Sequence, residues 1–330
     1  MSNRECVALG TSSLTPTRER SHNAYMLLWD GEGFLFDPGE AAQRQLILAN
    51  ISASAIHHIC ITHFHGDHCL GLAGIVQRLS LDQCTHSVHI YYPESGQVYL
   101  ERLCGAAIFH SRIKLEFHPI AEQAIGMLEL RRTSRYVLQC MHLTHSVPTV
   151  GFRLEEMEHA RFLPEKLAAL GIQGPMVGEL RRNGSLDFSG RTVRLDEVTE
   201  PCRGNVFAFI MDTSPCAEAI ALSRDADLVL MEGTYTSEHK DLADSYKHST
   251  AADAAKTAQA AGARRLALGH FSQRYPNTDQ HLREAKEIFP DVVVLNDLDR
   301  LEIPRNEGIN HLSFTVPSGS LHSGFSDAED

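Results

Sequence analysis

Hydrophobic positions along the chain fall into two successive sets of short apolar runs, each stopped by a turn or a polar side chain. In the first set, Cys6-Val-Ala-Leu-Gly10 reads as a strand ending in a glycine turn. Residues 24–28 and 34–36 read as a hairpin around Asp30-Gly-Glu-Gly33. Residues 40–50 have helical spacing, with Leu46, Ile47 and Asn50 on one face. His57-His-Ile-Cys-Ile-Thr62 reads as a buried strand, and a helix is predicted over residues 70–79.

The second set repeats this rhythm. Val206-Phe-Ala-Phe-Ile-Met211 is an apolar strand that stops at Asp212, and Leu228-Val-Leu-Met231 stops at Glu232. Residues 250–261 form an alanine-rich helix, and Arg265-Leu-Ala-Leu268 stops at Gly269-His270. Between the two sets, residues 155–204 are polar, with a helix at 163–170 and few strand signals, and read as an inserted arm. Residues 305–330 are rich in Ser, Gly, Asn and Asp and are expected to be a disordered tail, which leaves residues 1–304 as one domain. Two βα-rich halves with polar residues at their strand ends predict an α/β architecture of two sheets face to face, helices outside.

Composition narrows the picture modestly. The 330 residues are 43% hydrophobic and 22% charged, ordinary for a soluble globular chain, with no apolar run long enough to cross a bilayer. The opening residues lack a signal-peptide pattern, so a cytoplasmic protein is expected. Eight scattered cysteines without a C-x-x-C pair argue against a disulfide framework. A net charge of −12 argues against bulk attraction to nucleic acid, though a local basic patch is compatible with it.

The chemistry is concentrated in Thr62-His-Phe-His-Gly-Asp-His68. In an extended segment residues i and i+2 point the same way, so His63 and His65 can grip one ion. A turn at Gly66 then lets Asp67 and His68 reach a second ion nearby. Imidazole and carboxylate are the ligands expected for zinc in an open hydrolytic site. Two ions need more ligands than one loop supplies. Candidates sit at other strand ends: His145 in His142-Leu-Thr-His-Ser-Val-Pro148, Asp212 in Met211-Asp-Thr-Ser214, and His270 in Leu268-Gly-His-Phe-Ser272. A carboxylate at Asp212 can bridge two ions, which a neutral imidazole cannot.

This series resembles the metallo-β-lactamase superfamily and, within it, the ribonuclease Z family of tRNA 3′-processing endonucleases, over roughly residues 7–304. The closer resemblance rests on Leu9-Gly-Thr11 with Pro16-Thr-Arg-Glu-Arg20, on Asp37-Pro-Gly-Glu40 with Gln45-Leu46, and on His145-Ser-Val-Pro-Thr-Val-Gly-Phe152. It rests further on Gly174-Pro175, Glu232, His248-Ser-Thr250 and His270-Phe-Ser-Gln-Arg-Tyr275. The chain departs from the family pattern in Arg18 where Lys is usual, in Ser21-His22 before Asn23, and in Gly269 where Thr is common. The inserted segment also holds slightly more acidic than basic residues.

The resemblance implies a four-layer αββα sandwich carrying a tRNA-binding arm, and two zinc ions per subunit. His63, His65 and His145 would hold one zinc, Asp67, His68 and His270 the other, with Asp212 bridging. A shared water with its pKa lowered to about 7 would supply the attacking hydroxide. Asp67 would orient it, His248 would assist the leaving oxygen with Glu232 fixing its tautomer, and Arg274 would grip a phosphate. Gly174 and Pro175 would belong to the gripping arm, with Arg181, Arg182, Arg191 and Arg194 as its phosphate contacts. The implied partners are precursor tRNA and a second copy of the chain, each arm serving the other's site. The implied product is a tRNA ending in a 3′-hydroxyl after the discriminator base, ready for CCA addition. The alternative on the same ligands is a small-molecule phosphodiesterase or a lactonase-type ester hydrolase.

Overall fold

The computed structural model describes residues 4–305. The tail expected at the C-terminal end therefore lies, from residue 306 on, outside the described residues. Two seven-stranded sheets form the frame. The first runs Arg300–Glu302, Glu5–Gly10, Ala24–Trp29, Glu32–Phe36, Ile56–Cys60, Ser87–Pro93 and Lys114–Ile120 across its width. The second runs Val292–Val294, Leu266–Gly269, Leu228–Glu232, Val206–Ile210, Val150–Glu156, Tyr136–His142 and Leu128–Arg132.

Strand periodicity explains the layering. In Val206–Ile210, Phe207 and Phe209 point into the core between the sheets, while Val206, Ala208 and Ile210 point at the outer helices. Leu228–Glu232 divides in the same way, with Leu228 and Leu230 inward and Val229 and Met231 outward. The first sheet mirrors this: Tyr25 and Leu27 face the inter-sheet core, while Ala24 and Met26 face helices. Strands buried on both faces read as continuous apolar runs, which is why they stand out in the sequence. Phe36 and Phe209, from opposite sheets, stack with centroids 4.6 Å apart and join the two layers.

Helices Ala42–Leu48, Leu72–Leu81 and Gln97–Cys104 cover the first sheet. Ala217–Ser223, Ala251–Ala260 and Asp279–Ile288 cover the second. The result is the expected αββα sandwich. None of these helices is long and apolar enough to cross a membrane.

Three local expectations need correction. The first helix spans only Ala42–Leu48, and its inner face is Ala42, Gln45 and Leu46, whereas Ile47 is 58% exposed. Gln45 turns inward because its Nε2 donates to the Leu9 carbonyl at 2.5 Å and to Asp297 Oδ2 at 3.0 Å. Next, the helix predicted at 70–79 runs over Leu72–Leu81, and an unexpected short helix, Gly66–Cys69, precedes it, so Asp67 and His68 lie on a helical turn. Last, the inserted segment is richer in structure than its polarity suggests.

That insertion occupies a hairpin position. Val150–Glu156 and Val206–Ile210 are antiparallel neighbours, with Glu155 opposite Val206, and residues 157–205 connect them. The neck is a two-stranded ladder of His159–Phe162 with Thr199–Cys202. Beyond it come helices Pro164–Ala169 and Pro175–Asn183 and a hairpin of Ser185–Phe188 with Arg191–Arg194. A separate small core of Ile172, Leu180, Leu186, Val193 and Val198 holds these together.

The tight turn between Ala24–Trp29 and Glu32–Phe36 uses Asp30 and Gly31, both at positive φ (51° and 90°), the type I′ geometry that matches strand twist. Phe209→Ala is expected to destabilise the protein by about 3–5 kcal/mol, since it opens a cavity between the sheets. Leu81→Ala, at a side chain 75% exposed, should stay within about 0.5 kcal/mol. Chemical denaturation of the two variants checks this contrast.

Candidate metal and active centre

Several polar residues of the cleft sit where a strand stops and the chain turns. Asp37, Asp212 and His270 follow Glu32–Phe36, Val206–Ile210 and Leu266–Gly269, and all three have positive φ, 46°, 45° and 59°. Left-handed backbone at a non-glycine residue is uncommon, and Asp and His are among the types that tolerate it. Here it swings each side chain off its sheet and into the gap at the strand ends.

Two groups of ligand-type atoms converge there. One holds His63, His65, His145 and Asp212, the other Asp67, His68 and His270, with the atoms of each group within 4.8 Å of one another. Asp212 faces both. Its Oδ2 lies 3.6 Å from His63 Nε2 and 3.7 Å from His145 Nε2. Its Oδ1 lies 3.4 Å from His68 Nε2 and 3.1 Å from His270 Nε2. Within the second group, His68 and His270 Nε2 are 3.1 Å apart and each is 3.4 Å from Asp67 Oδ2. In the first group, His145 Nε2 and His65 Nδ1 are 3.4 Å apart.

Those separations test whether the residues suit a metal. Four ligands arranged tetrahedrally at zinc's bond lengths lie about 3.3–3.4 Å from one another. The observed 3.1–3.7 Å brackets that value. The ring nitrogens also have the right chemistry. Thr62 Oγ1 donates its one proton to Asp37 Oδ2 at 2.8 Å, so at 3.0 Å it must accept from His63 Nδ1. Thr234 Oγ1 donates to Glu232 Oε2 in the same way and must accept from His270 Nδ1 at 2.9 Å. His68 Nδ1 donates to Asp37 Oδ2 at 2.8 Å, and His145 Nδ1 to the Lys247 carbonyl at 3.0 Å. Every one of these four imidazoles thus engages its outer Nδ1 and turns Nε2 toward the cleft. Metal-binding histidines are held in this way through their outer nitrogen. His63 Nε2 and Asp212 Oδ1 are buried without a hydrogen-bond partner, which a cation would supply.

The charges point the same way. Asp37, Asp67, Asp212 and Glu232 are all buried, and among the described residues no Lys or Arg pairs with any of them. Burial holds the His63, His65 and His145 rings neutral, below the ordinary histidine range. Burial works against ionised Asp67 and Asp212, yet the neighbouring histidines outweigh it and hold both well below the usual carboxylate range. Burial also works against a charged His68, but Asp212, Asp67 and Asp37 together raise it. His68, even together with a protonated His248, cannot balance four carboxylates.

His248 stands beside the shared carboxylate. Its Nδ1 donates to Glu232 Oε2 at 3.0 Å and lies 3.9 Å from Asp212 Oδ2. Burial lowers its pKa, but Glu232 and Asp212 outweigh that and lift it to about 9. It also lies within ligand range of Asp212 and His270, although its Nδ1 is already engaged by Glu232. The run His248-Ser-Thr250 has three separate jobs. His248 faces the cleft, Ser249 Oγ donates to the Thr213 carbonyl at 2.7 Å, and Thr250 caps the helix Ala251–Ala260 through Asp253.

Arg274 is exposed at the rim, its guanidinium 5.8 Å from the Tyr235 ring, and that ring is 6.0 Å from His248. Phe271–Ser272 pairs in parallel with Ser12–Ser13 and anchors the loop that follows, from which the Leu14 amide donates to Asp67 Oδ2 at 2.7 Å. Arg20 of that loop is occupied in holding it, donating to Thr11 Oγ1 and the Leu295 carbonyl. Gly269, where relatives of the resembled family commonly have Thr, makes room for a neighbour: a Cβ there would meet the Tyr25 hydroxyl at 2.0 Å.

In the inserted segment, Gly174 precedes the helix Pro175–Asn183 and Pro175 takes its first position. Arg181 and Arg182 are exposed in that helix's last turn, with Arg181 4.9 Å over the Phe162 ring. Arg191 and Arg194 are paired with Glu197 and Asp196, which weakens the expectation that all four arginines are free for phosphate. Sequence reasoning missed Thr62, Thr234, Lys247 and the Leu14 amide. The two threonines carried a signal, each adjoining or two residues from a strand-end acid or histidine. Replacing either by Val should weaken cation binding about 10–100-fold, with Ser restoring it, in a calorimetric zinc titration.

Comparison with known proteins places these features in a family. Residues 17–150 match the metallo-beta-lactamase superfamily. Ribonuclease Z of Nocardia farcinica is 49% identical over 305 residues, 92% of this chain and 99% of that protein. Ribonuclease Z of Streptomyces coelicolor is 47% identical over 307 residues, with 92% and 99% covered. The crystal structure of human tRNase Z, short form, superposes with a TM-score of 0.68 at 24% identity, over 91% of this chain and 99% of that one.

Proposed function

The chain belongs to the ribonuclease Z family, and from that premise we propose that it is an endoribonuclease that removes the 3′ trailer from precursor tRNA. Cleavage falls after the discriminator base and leaves a 3′-hydroxyl for CCA addition. One observation carries the chemical part of this reading: Asp212 turns one oxygen to each of two ligand groups, with the His248–Glu232 pair alongside. His63, His65 and His145 would hold one zinc and Asp67, His68 and His270 the other, with Asp212 shared by both groups, two per subunit. Bound there, the pair supplies a water of lowered pKa and positive charge against the phosphate.

The protein's own groups do the rest. Asp67 Oδ2 is fixed by the Leu14 amide, and Oδ1, which makes no hydrogen bond among the described residues, is free to orient a water and take its proton. Glu232 holds His248 by Nδ1 and favours its protonated form, so Nε2 carries a proton for the departing 3′-oxygen of the discriminator nucleotide. Arg274, exposed at the rim, offers a two-pronged grip on a flanking phosphate. The arm holds the tRNA body by shape and backbone, with Arg181 and Arg182 as its contacts.

The same reading includes a homodimer in which each arm serves the partner's cleft, and a cytoplasmic setting, with which eight unpaired cysteines accord. A small-molecule phosphodiesterase would share the ligands but has no use for a separately folded arm of this size.

The test is to map the product ends on a 3′-extended precursor tRNA. A tRNA ending in a 3′-hydroxyl at the discriminator, with a 5′-phosphate on the trailer, is expected. Cleavage of bis-p-nitrophenyl phosphate with the precursor left intact under all metal conditions would overturn the assignment. Asp67→Ala is expected to abolish turnover of both substrates. Arg182→Ala should raise KM for precursor tRNA and spare the small ester. Equal losses on both would remove the arm from the account.

A further inference from the structure

Outside the cleft, one other group of potential metal ligands converges among the described residues: His89, Glu116 and His118. Its origin is strand geometry. His89 lies on Ser87–Pro93, directly opposite Glu116 on the parallel neighbour Lys114–Ile120. His118 follows Glu116 by two residues and so shares its face. His89 Nδ1 lies 3.0 Å from His118 Nε2 and 3.3 Å from Glu116 Oε2. These are close to the roughly 3.3–3.4 Å that separates ligands around a single tetrahedral zinc.

The surroundings hold the three in place. The His118 ring stacks on Tyr91 with centroids 4.7 Å apart, and the His89 ring stacks on His58 at 5.4 Å. Lys114 Nζ donates to Glu116 Oε1 at 2.6 Å, which leaves Oε2 turned to His89. All three residues are partly exposed, so an ion can enter from solvent and water can complete its coordination. None of them makes a hydrogen bond or ion pair with a cleft residue.

We propose that His89, Glu116 and His118 form a separate, peripheral site for a divalent transition metal of zinc's class, clamping the last two strands of the first sheet. Two imidazoles and one carboxylate suit zinc, nickel or copper over calcium or magnesium. The site does not depend on the cleft's ligand assignment or on the proposed reaction.

Arg131 sets its strength. Its guanidinium lies 3.4 Å from His89 Nε2 and can only donate, so that nitrogen accepts and Nδ1 carries the ring proton. A metal on Nδ1 moves the proton to Nε2, and the Arg131 contact must then be given up. Arg131 is therefore a brake on loading, and removing it should tighten binding.

The experiment is equilibrium dialysis of the purified full-length protein against zinc alone, with zinc per chain counted by mass spectrometry. His118→Ala is expected to bind one zinc fewer than the parent and to cleave precursor tRNA at the parent rate. Glu116→Gln, nearly isosteric, should weaken that zinc by about tenfold or more through the lost ligand charge. Arg131→Gln should tighten it several-fold. The cleft is held apart by a His63→Ala/His65→Ala variant, in which adding His118→Ala should still remove one zinc. Equal zinc counts for the parent and His118→Ala, or zinc affinity unmoved by Glu116→Gln, would overturn the proposal.

Discussion

Asp37, Asp67, Asp212 and Glu232 bring four carboxylates into one buried cleft, and among the described residues no lysine or arginine pairs with any of them. Burying charge in excess of its partners costs several kcal/mol, and His68 with His248 can offset only part of four carboxylates, so the arrangement calls for further positive charge. The rest of the cleft answers that demand. Six imidazoles, His248 among them, surround the acids, and the outer nitrogen of four others is taken up by Asp37, Thr62, Thr234 or the Lys247 carbonyl. The fold spends left-handed backbone at Asp37, Asp212 and His270 to aim these groups. A pair of cations shared through Asp212 is the simplest balance for this charge.

The two sheets make that aim reproducible. Asp37, with Thr62 and His63 beyond the neighbouring strand, comes from the first sheet. Asp212, Glu232 and His270 come from adjacent parallel strands of the second. The Phe36–Phe209 stack lies just behind, so the aromatic core fixes the distance between the two sets of ligands. The arm is decoupled by contrast. It grows from a hairpin position and carries its own core, so it can vary in sequence and charge without disturbing the metal ligands.

Much of this was legible in the sequence, for a physical reason. Strands buried on both faces are uninterrupted apolar runs, and a polar residue at the end of such a run marks a side chain leaving the sheet. Asp212, Glu232 and His270 carry that mark, while His63, His65, Asp67 and His68 stood out by their spacing in the loop beyond Ile56–Cys60. His145 was read from its place just beyond a strand, here Tyr136–His142, whereas His248 lies between two helices and only its motif pointed to it. What escaped depends on contacts between distant residues. Thr234 matters because it lies between Glu232 and His270, and Leu14 because its amide reaches Asp67 across 53 residues. Gln45 faces inward for a carbonyl and a carboxylate that helical periodicity cannot reveal. The arm's strands were missed because each is four residues long and half exposed.

The central claim is that Asp212 lies between two cations, one at His63, His65 and His145 and the other at Asp67, His68 and His270. X-ray absorption spectroscopy at the zinc edge, on protein loaded with two zinc ions per chain, addresses it directly. The account predicts a metal–metal vector at about 3.5–4 Å that disappears in Asp212→Ala. Fully active protein with no such vector, or a vector unchanged in Asp212→Ala, would contradict it.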